Sequence, residues 1–507
     1  MEPPPGPSAP GRVIVVSTTI DQVPSAAELV PMNSLYIGGR WLTPAGRERI
    51  PVLNPATEAV IGSIVDADDS DVAAAFSAAR QALGEWSARP VAERAAYLDA
   101  LADALRENGE SLAVLATSEI GMPLAESRGV QAALPEAVLR STADAARELR
   151  WQYRDSSGST VLREPVGVVL GITPWNFPVH QLVAKLAPAL AAGCTIVLKP
   201  AELTPLNALF LAQLCDQIGL PAGVVNLVTG RGSTTGEKLV QSRAYDLVSF
   251  TGSLAVGRHI GAVAGDRVVR ATLELGGKSP AVVMDDADLE VAVRTTVRNC
   301  FTNAGQKCNA PTRLIVPETG RSQAMEIATA AAAEYRLGDP LDAATTMGPL
   351  ASDVQRNKVL RYVDGARQRG ATVAGGRPGD GPVGFFVEPA VITDVDEDDP
   401  IVHEEIFGPV LVILGHRGET DAIRIANDTP YGLSAELWST DPATTTRLVR
   451  GIRAGQVRIN GVRSPHPPVA PFGGYKASGL GRELGSFGLE EYLEVKAVLG
   501  TFEGEAG

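Results

Sequence analysis

Three side chains in this sequence have the types that carbonyl chemistry requires. Cys308 stands in GQKCNAPTR, Glu274 in LELGGKSP and Asn176 in TPWNFP. A thiolate attacks a carbonyl carbon, an amide N–H holds the resulting oxyanion, and a carboxylate can later activate water. Together they point to acyl chemistry through a thioester. Each residue taken singly also has a plainer reading. Cys308 could be a buried structural thiol, Glu274 a solvated carboxylate or a partner for Lys278, and Asn176 a turn former ahead of Phe177 and Pro178.

Position separates Cys308 from the other three cysteines. A cysteine attacks only as its thiolate, so an ordinary pKa of about 8.5 must be lowered or matched by a nearby base. Cys300 falls in register with Leu289, Val293 and Val297 on a helical stripe and reads as core, as do Cys194 and Cys215 beside apolar strand and helix positions. Cys308 instead follows the breaker-rich TNAGQ, where the helix should have ended, so its side chain can face a cleft. Glu274 closes the apolar strand VVRATLEL just before Gly276 and Gly277. Carboxyl ends of strands are where sites collect in open α/β folds.

The elements that would position these residues follow from the pattern of apolar runs. Residues 1–33 hold a Pro-rich start without periodicity and read as a loosely held extension, with the folded body beginning at Leu35, Tyr36 and Ile37. From Ser70 to Ala146 apolar residues recur three and four apart, as in DVAAAFSAARQALGEW, which predicts helices. From Val166 short β-branched runs (VGVVLGI, TIVLKP, VVNLVT, DLVSF) alternate with helical stretches, and AVVMDD, RLIV and PVLVIL repeat the theme. That alternation predicts parallel strands joined by crossover helices, an α/β class. A chain of 507 residues with 45% hydrophobic content has room for two or three domains. The net charge of −14 argues against nucleic acid or an anionic membrane as partner. Four cysteines without metal-type spacing fit a reducing, cytoplasmic setting with no bound metal. No stretch reaches the roughly 18 apolar residues of a membrane span.

TPWNFP, FTGS, LELGGKSP, GQKC and EEIFGPV occur in this order, and PFGGYKASGLGRELG extends the series to about residue 485. The set resembles the aldehyde dehydrogenase superfamily. The resemblance implies a Rossmann-type NAD-binding domain over residues 34–146 and 166–276 and an α/β catalytic domain over 277–483. It also implies a small bridging β-sheet from 147–165 and 484–507, which pairs subunits into a homodimer or homotetramer. Cys308 would then be the nucleophile, Asn176 the oxyanion donor, and Glu274 the base that opens a thioester with water. Members that pass the acyl group to coenzyme A lack that glutamate. Lys185 and Glu483 would relay a proton from it.

No GxGxxG is present, but DLVSF runs into TGSLAVG, where Gly252 and Gly257 bracket a helix start that offers N–H groups to a phosphate. By resemblance, Ser253 touches the pyrophosphate and Lys199 and Glu202 grip the adenosine ribose. Glu405 and Phe407 hold the nicotinamide ribose and ring, and Trp175, Gly232 and Leu275 complete the contacts. A carboxylate at 202 accepts from a free 2′-hydroxyl and repels a 2′-phosphate, which favours NAD, with NADP still open because Lys199 is near. The aldehyde's path would be lined by Phe177, Gln181, Ala184 and Phe472, with Ala184 leaving an open passage. The loop VRSPHPPVAP carries Arg463 and His466; an arginine there could bind a carboxylate tail but is more often a solvated loop charge, so no acidic semialdehyde is assigned. Two rival readings compete with a hydrolytic aldehyde dehydrogenase: a dehydrogenase for an acidic semialdehyde, possible with NADP, and a non-catalytic, crystallin-like protein of the same fold.

Overall fold

The computed structural model describes residues 25–462, 468–500 and 502. Two parallel sheets dominate it. In the first, Val168–Ile172 lies between Thr195–Lys199 and Leu247–Thr251, and Leu247–Thr251 pairs in turn with Arg270–Glu274, all in parallel. Val225–Leu227 continues this ladder beyond Thr195–Lys199. Antiparallel strands Leu35–Ile37 and Arg40–Leu42 finish one edge, and Gly479–Leu480 finishes the other. Every residue of the three central strands is buried. That explains why they read as unbroken apolar runs: helices cover both faces, so no position alternates toward water.

The second sheet is centred on Pro280–Val283, parallel to both Arg313–Pro317 and Ser434–Trp438. Val410–His416 and Ala390–Thr393 extend it on one side and Gln456–Ile459 on the other, with Thr372–Gly375 antiparallel at the edge. A separate core of buried side chains lies under each sheet. The tail strand Leu493–Val498 pairs antiparallel with Thr160–Pro165, and Gln152–Arg154 completes this small third sheet. Among the described residues no helix is long and apolar enough to cross a membrane.

The helical stretch expected from Ser70 resolves into Asp69–Ser87, Val91–Glu107, Gly109–Ile120 and Leu134–Glu148, with the short helix Leu124–Ser127 and the π-helical Arg128–Ala133 between the last two. The start of the folded body needs correcting. Residues 25–33 are not loosely held: Ser25 caps the helix Ala26–Leu29, and Leu29 and Val30 enter the core at 6% and 5% exposure. Two apolar side chains in a short segment carry no periodicity, so the sequence hides this anchor. Residues 1–24 of the expected extension lie outside the described residues.

Candidate active site

The helix Leu289–Phe301 stops where the sequence predicts, and the chain then takes an unusual course. Asn303 and Ala304 both adopt left-handed backbone, with φ of 51° and 52°. For residues with a Cβ this costs roughly 1 kcal/mol or more each, and it persists only when the surroundings enforce it. The enforcing contacts come from three directions. Glu126 Oε2 accepts the Asn303 N–H at 3.0 Å, and Asn303 Nδ2 donates to the Asn176 carbonyl at 3.1 Å. Gln306 Nε2 donates back to the Asn303 carbonyl at 3.0 Å, while the Ala351 N–H donates to Gln306 Oε1 at 2.9 Å. Asn176 Nδ2 in turn donates to the Gln306 carbonyl at 3.0 Å. The TPWNFP turn and the GQKC loop are therefore one hydrogen-bonded unit. Cys308 emerges from it half-buried, whereas Cys194, Cys215 and Cys300 are fully buried.

The loop reaches the end of the Arg270–Glu274 strand through a close approach that only glycine permits. A Cβ on Gly277 would lie 2.5 Å from the Cys308 carbonyl oxygen. Glu274 is 3% exposed, and neither carboxylate oxygen has a hydrogen-bond partner. Burial raises its pKa well above the usual carboxylate range, and the charge of Glu483 adds to this. Burial also pushes the Cys308 thiol up to about 12, helped by the charges of Glu405 and Glu274 and opposed by that of Lys307. An orphaned buried carboxyl is costly to keep and marks a site more often than a scaffold. Behind Glu274, Lys185 is fully buried, with its Nζ 2.7 Å from Glu483 Oε1, 2.8 Å from Thr251 Oγ1 and 3.3 Å from Ser249 Oγ.

Most groups expected to hold a dinucleotide follow the carboxyl ends of the first sheet's strands, while Glu405 and Phe407 come from the turn before Val410–His416 of the second sheet. Ser253 caps the thirteen-residue helix Leu254–Asp266, its Oγ accepting the Val256 N–H at 3.4 Å, and Gly252 leads into it with its N–H donating to the Glu274 carbonyl at 3.0 Å. Gly257 is buried inside this helix, not at its edge, and a Cβ there would strike Leu275 at 2.3 Å. Lys199 ends its strand buried, with Nζ donating to the Pro200 carbonyl at 2.8 Å and standing 3.8 Å from Glu202. Glu202 Oε1 also accepts the Gly232 N–H at 3.4 Å. Glu405 accepts the Gly277 N–H at 3.0 Å, and Phe407, left-handed at φ 61°, stacks edge-on against Trp175 at 5.4 Å. Open helix N–H groups for a phosphate, a half-exposed carboxylate for ribose hydroxyls and a paired-aromatic wall form a donor set that fits a nicotinamide dinucleotide.

The family model for the aldehyde dehydrogenase family matches residues 41–498. The chain belongs to the aldehyde dehydrogenase family. It is 42% identical over 488 residues to betaine aldehyde dehydrogenase 1 of Oryza sativa subsp. japonica, covering 94% of this chain and 96% of that protein. It is 43% identical over 480 residues to a 3-succinoylsemialdehyde-pyridine dehydrogenase of a Pseudomonas species, covering 93% and 99%. Among solved structures, aldehyde dehydrogenase C of Pseudomonas syringae, a mutant complexed with NAD+ and octanal, is similar at TM-score 0.90 and 40% identity, covering 93% and 98%. The fold is an aldehyde dehydrogenase fold, and the activity is oxidation of an aldehyde to the carboxylic acid with NAD(P)+ as oxidant.

Within this aldehyde dehydrogenase the four expected tunnel residues occupy unlike environments. Phe177 is half-buried and packs against Ala116, Ile120 and Met122. Gln181 is 6% exposed with its Oε1 lacking a partner. Phe472 exchanges both backbone hydrogen bonds with Glu483, at 2.8 and 2.7 Å, which ties one expected tunnel residue to the Lys185 pair. Ala184 is 1% exposed inside the main core, so the structure shows no open passage at its methyl. Arg463 and His466 lie outside the described residues. Sequence reasoning missed Glu126, Asn303 and Gln306. The signal for the last two was the GQ before Lys307 and the Asn-Ala pair before it; Glu126 gave none. A cavity of 460 Å³ opens behind the loop, lined by Glu126, Arg298, Thr302 and Tyr335 among others, without reaching Cys308.

Proposed function

We propose that this enzyme oxidises its aldehyde with NAD+ through a covalent adduct on Cys308 that water hydrolyses. The Cys308 thiol first gives up its proton to solvent; the thiolate sulfur then bonds to the aldehyde carbon as the carbonyl π pair moves to oxygen, and the new oxyanion is held by the Asn176 amide and the Cys308 backbone N–H. Asn176 Nδ2 has one N–H engaged with Gln306, and its second is free to donate. Bound NAD+ supplies the hydride acceptor. Loss of hydride leaves a thioester on Cys308. Glu274 then takes a proton from water, the hydroxyl oxygen attacks the thioester carbon, the C–S bond breaks, and the acid departs. Glu274 passes its proton toward the Lys185–Glu483 pair, 2.7 Å apart.

The observation that carries this reading is the buried Glu274 carboxyl with no partner at either oxygen, close enough to Cys308 for its charge to act on the thiol. A structural carboxyl would have acquired donors; a general base near neutrality needs the raised pKa that burial gives. The intact Cys308, Glu274 and Asn176 set speaks against a purely structural role. Glu202, offering a carboxylate where a 2′-hydroxyl would bind, supports NAD over NADP. A betaine aldehyde dehydrogenase of Staphylococcus aureus, 38% identical, was solved in complex with NAD+. Four free cysteines support a reducing, cytoplasmic setting, and exposed Val495 on the small sheet, with exposed Leu499 just past its end, supports a homodimer or homotetramer.

The test is an assay of simple aldehydes with NAD+ and NADP+, following the reduced nicotinamide and the acid product, alongside peptide mapping after brief iodoacetamide treatment. One rapidly alkylated thiol, Cys308, and loss of activity in proportion to its labelling are expected. Full activity after stoichiometric alkylation of Cys308 would overturn the reading.

A further inference from the structure

The Lys185 ammonium has a third acceptor that the reaction above leaves without a purpose. Ser249 and Thr251 are two residues apart on the buried strand Leu247–Thr251, so both hydroxyls project from one face of the sheet. The helix Pro178–Ala192 lays Lys185 against that face. Its Nζ donates to Glu483 Oε1 at 2.7 Å, Thr251 Oγ1 at 2.8 Å and Ser249 Oγ at 3.3 Å, which occupies all three ammonium protons. Thr251 is the neighbour of Glu274 in the parallel ladder, and Ser249 the neighbour of Thr272. The ammonium is thereby fixed beside the end of the strand that carries the base.

From the far side, the Tyr492 hydroxyl donates to Ser249 Oγ at 3.1 Å. A serine oxygen accepts two hydrogen bonds, so Lys185 and Tyr492 take both of its acceptor places. Tyr492 cannot swing. It is 2% exposed, its N–H donates to the Leu489 carbonyl at 3.1 Å, and its own carbonyl accepts the Val166 N–H at 3.0 Å and the Cys194 thiol at 3.4 Å. A serine hydroxyl left to itself rotates to whichever partner suits it, whereas one met by a fixed phenol keeps its lone pair on the ammonium. Buried networks of this kind pass a change in one member to the others.

We propose that Ser249 and Tyr492 are positioning residues of the deacylation step: together they hold the Lys185 ammonium where its charge bears on Glu274, and Tyr492 acts only through Ser249. The proposal rests on the reading of Glu274 as the base that opens the thioester. The charged groups that bear on that carboxyl are Glu483, Lys185, Arg482 and Glu491, and the two cations favour its ionised form. Arg482 is tied to the Gly474 and Gly481 carbonyls at 3.2 and 2.7 Å, so Lys185 is the cation that the two hydroxyls control. His180, on the helix of Lys185, adds no charge near neutrality, because burial brings it down to about 4. Without the Ser249 oxygen one ammonium proton is buried and unpaired, the charge is no longer held at this point, and Glu274 ionises at higher pH.

The test follows the acyl group on Cys308 after mixing enzyme, butanal and NAD+, by acid quench and mass spectrometry, with its decay rate measured across neutral and alkaline pH. In the wild type the decay quickens as Glu274 ionises. In Ser249→Ala the midpoint of that rise should move up by about half a pH unit or more, and in Tyr492→Phe by less. The double variant should match Ser249→Ala alone, because Tyr492 has nothing left to act through. The burst of reduced cofactor should stay within about twofold in all three, since neither hydroxyl touches the thiol. An unmoved or lowered midpoint in Ser249→Ala, or a double variant shifted beyond it, overturns the proposal and leaves Glu274 as the base. A wild-type decay indifferent to pH, with unimpaired decay in Glu274→Gln, removes the reading on which the proposal rests. Absence of any acyl-enzyme from butanal removes the thioester itself, and both fall together.

Discussion

One continuous segment holds two cysteines with opposite fates. In the helix Leu289–Phe301, Asp288 caps the first turn, and Cys300 is wholly buried with its Sγ donating to the Val410 carbonyl at 3.7 Å. Burial, with a smaller push from the charge of Glu436, drives its thiol far above the usual range. Immediately beyond, the chain leaves helical geometry at Asn303 and Ala304, bonds from the distant Glu126 and Asn176 join the local Asn303–Gln306 bonds in holding the new course, and Cys308 emerges half-buried among charges. Residue type is the same and the separation is small. What differs is whether local geometry alone or local geometry with long-range contacts fixes the backbone, and the second leaves the thiol half-buried instead of enclosed.

The sharpest way to break this comparison is to remove each thiol in turn, beginning with the larger effect. Cys308→Ala should lower kcat by about 10⁴-fold or more, as expected when the nucleophile itself is lost. Cofactor binding, followed by fluorescence titration, should stay within a few-fold, because no cofactor group is altered. Substantial turnover in this variant would show that the half-buried thiol is not the attacking one.

Next in size is Glu274→Gln. Attack and hydride loss remain possible without this carboxylate, but deacylation loses its base, a step worth about 10²–10⁴-fold. A burst of reduced cofactor near one equivalent per site should precede a slow steady state. The pH dependence has a definite sign. The Glu274 pKa is raised, so kcat in the wild type should climb as pH rises through that value and frees the base, and this limb should vanish in the variant. The free thiol, at about 12, ionises more as pH rises, so the burst should quicken there. No burst at high pH and no acyl-enzyme by mass spectrometry would remove Glu274 from the deacylation role.

The two regions also differ in how far the sequence reveals them. The helix stripe carrying Cys300 and the buried strands ending at Lys199 and Glu274 follow from periodicity, since burial on one face or both repeats at a fixed interval. The break at TNAGQ is legible because glycine and asparagine interrupt that repeat. What enforces the break is not: Glu126 and Asn303 are far apart in sequence, and a single hydrogen bond between them leaves no pattern. The packing of Gly257 on Leu275 was equally hidden, because helix start and helix interior are set by a strand that arrives later in the chain. Family resemblance supplied the dinucleotide contacts that spacing alone would have left as an isolated pair of glycines.

The smallest effect belongs to Cys300→Ala, and it tests the comparison from the structural side. The side chain sits at 0% exposure in the core of the second sheet, among residues such as Val297, Phe301 and Val410. Removing one sulfur atom there deletes its contacts and leaves a void too small for water, at a cost of about 1 kcal/mol by analogy with one-methylene deletions. In a protein this large that corresponds to a fall in Tm on the order of 1–2 °C, readable by scanning calorimetry. Activity should stay within twofold, since the helix ends before the loop whose bonds come from Glu126, Asn176 and Ala351. Iodoacetamide should also leave Cys300 unlabelled in the native protein, because neither solvent nor a stabilised thiolate is present. Suppose instead that Cys300→Ala kept its Tm and lost tenfold or more in kcat. The helix would then be transmitting strain into the nucleophile loop, and the division between a structural thiol fixed by local geometry and a reactive one fixed by distant contacts would not hold.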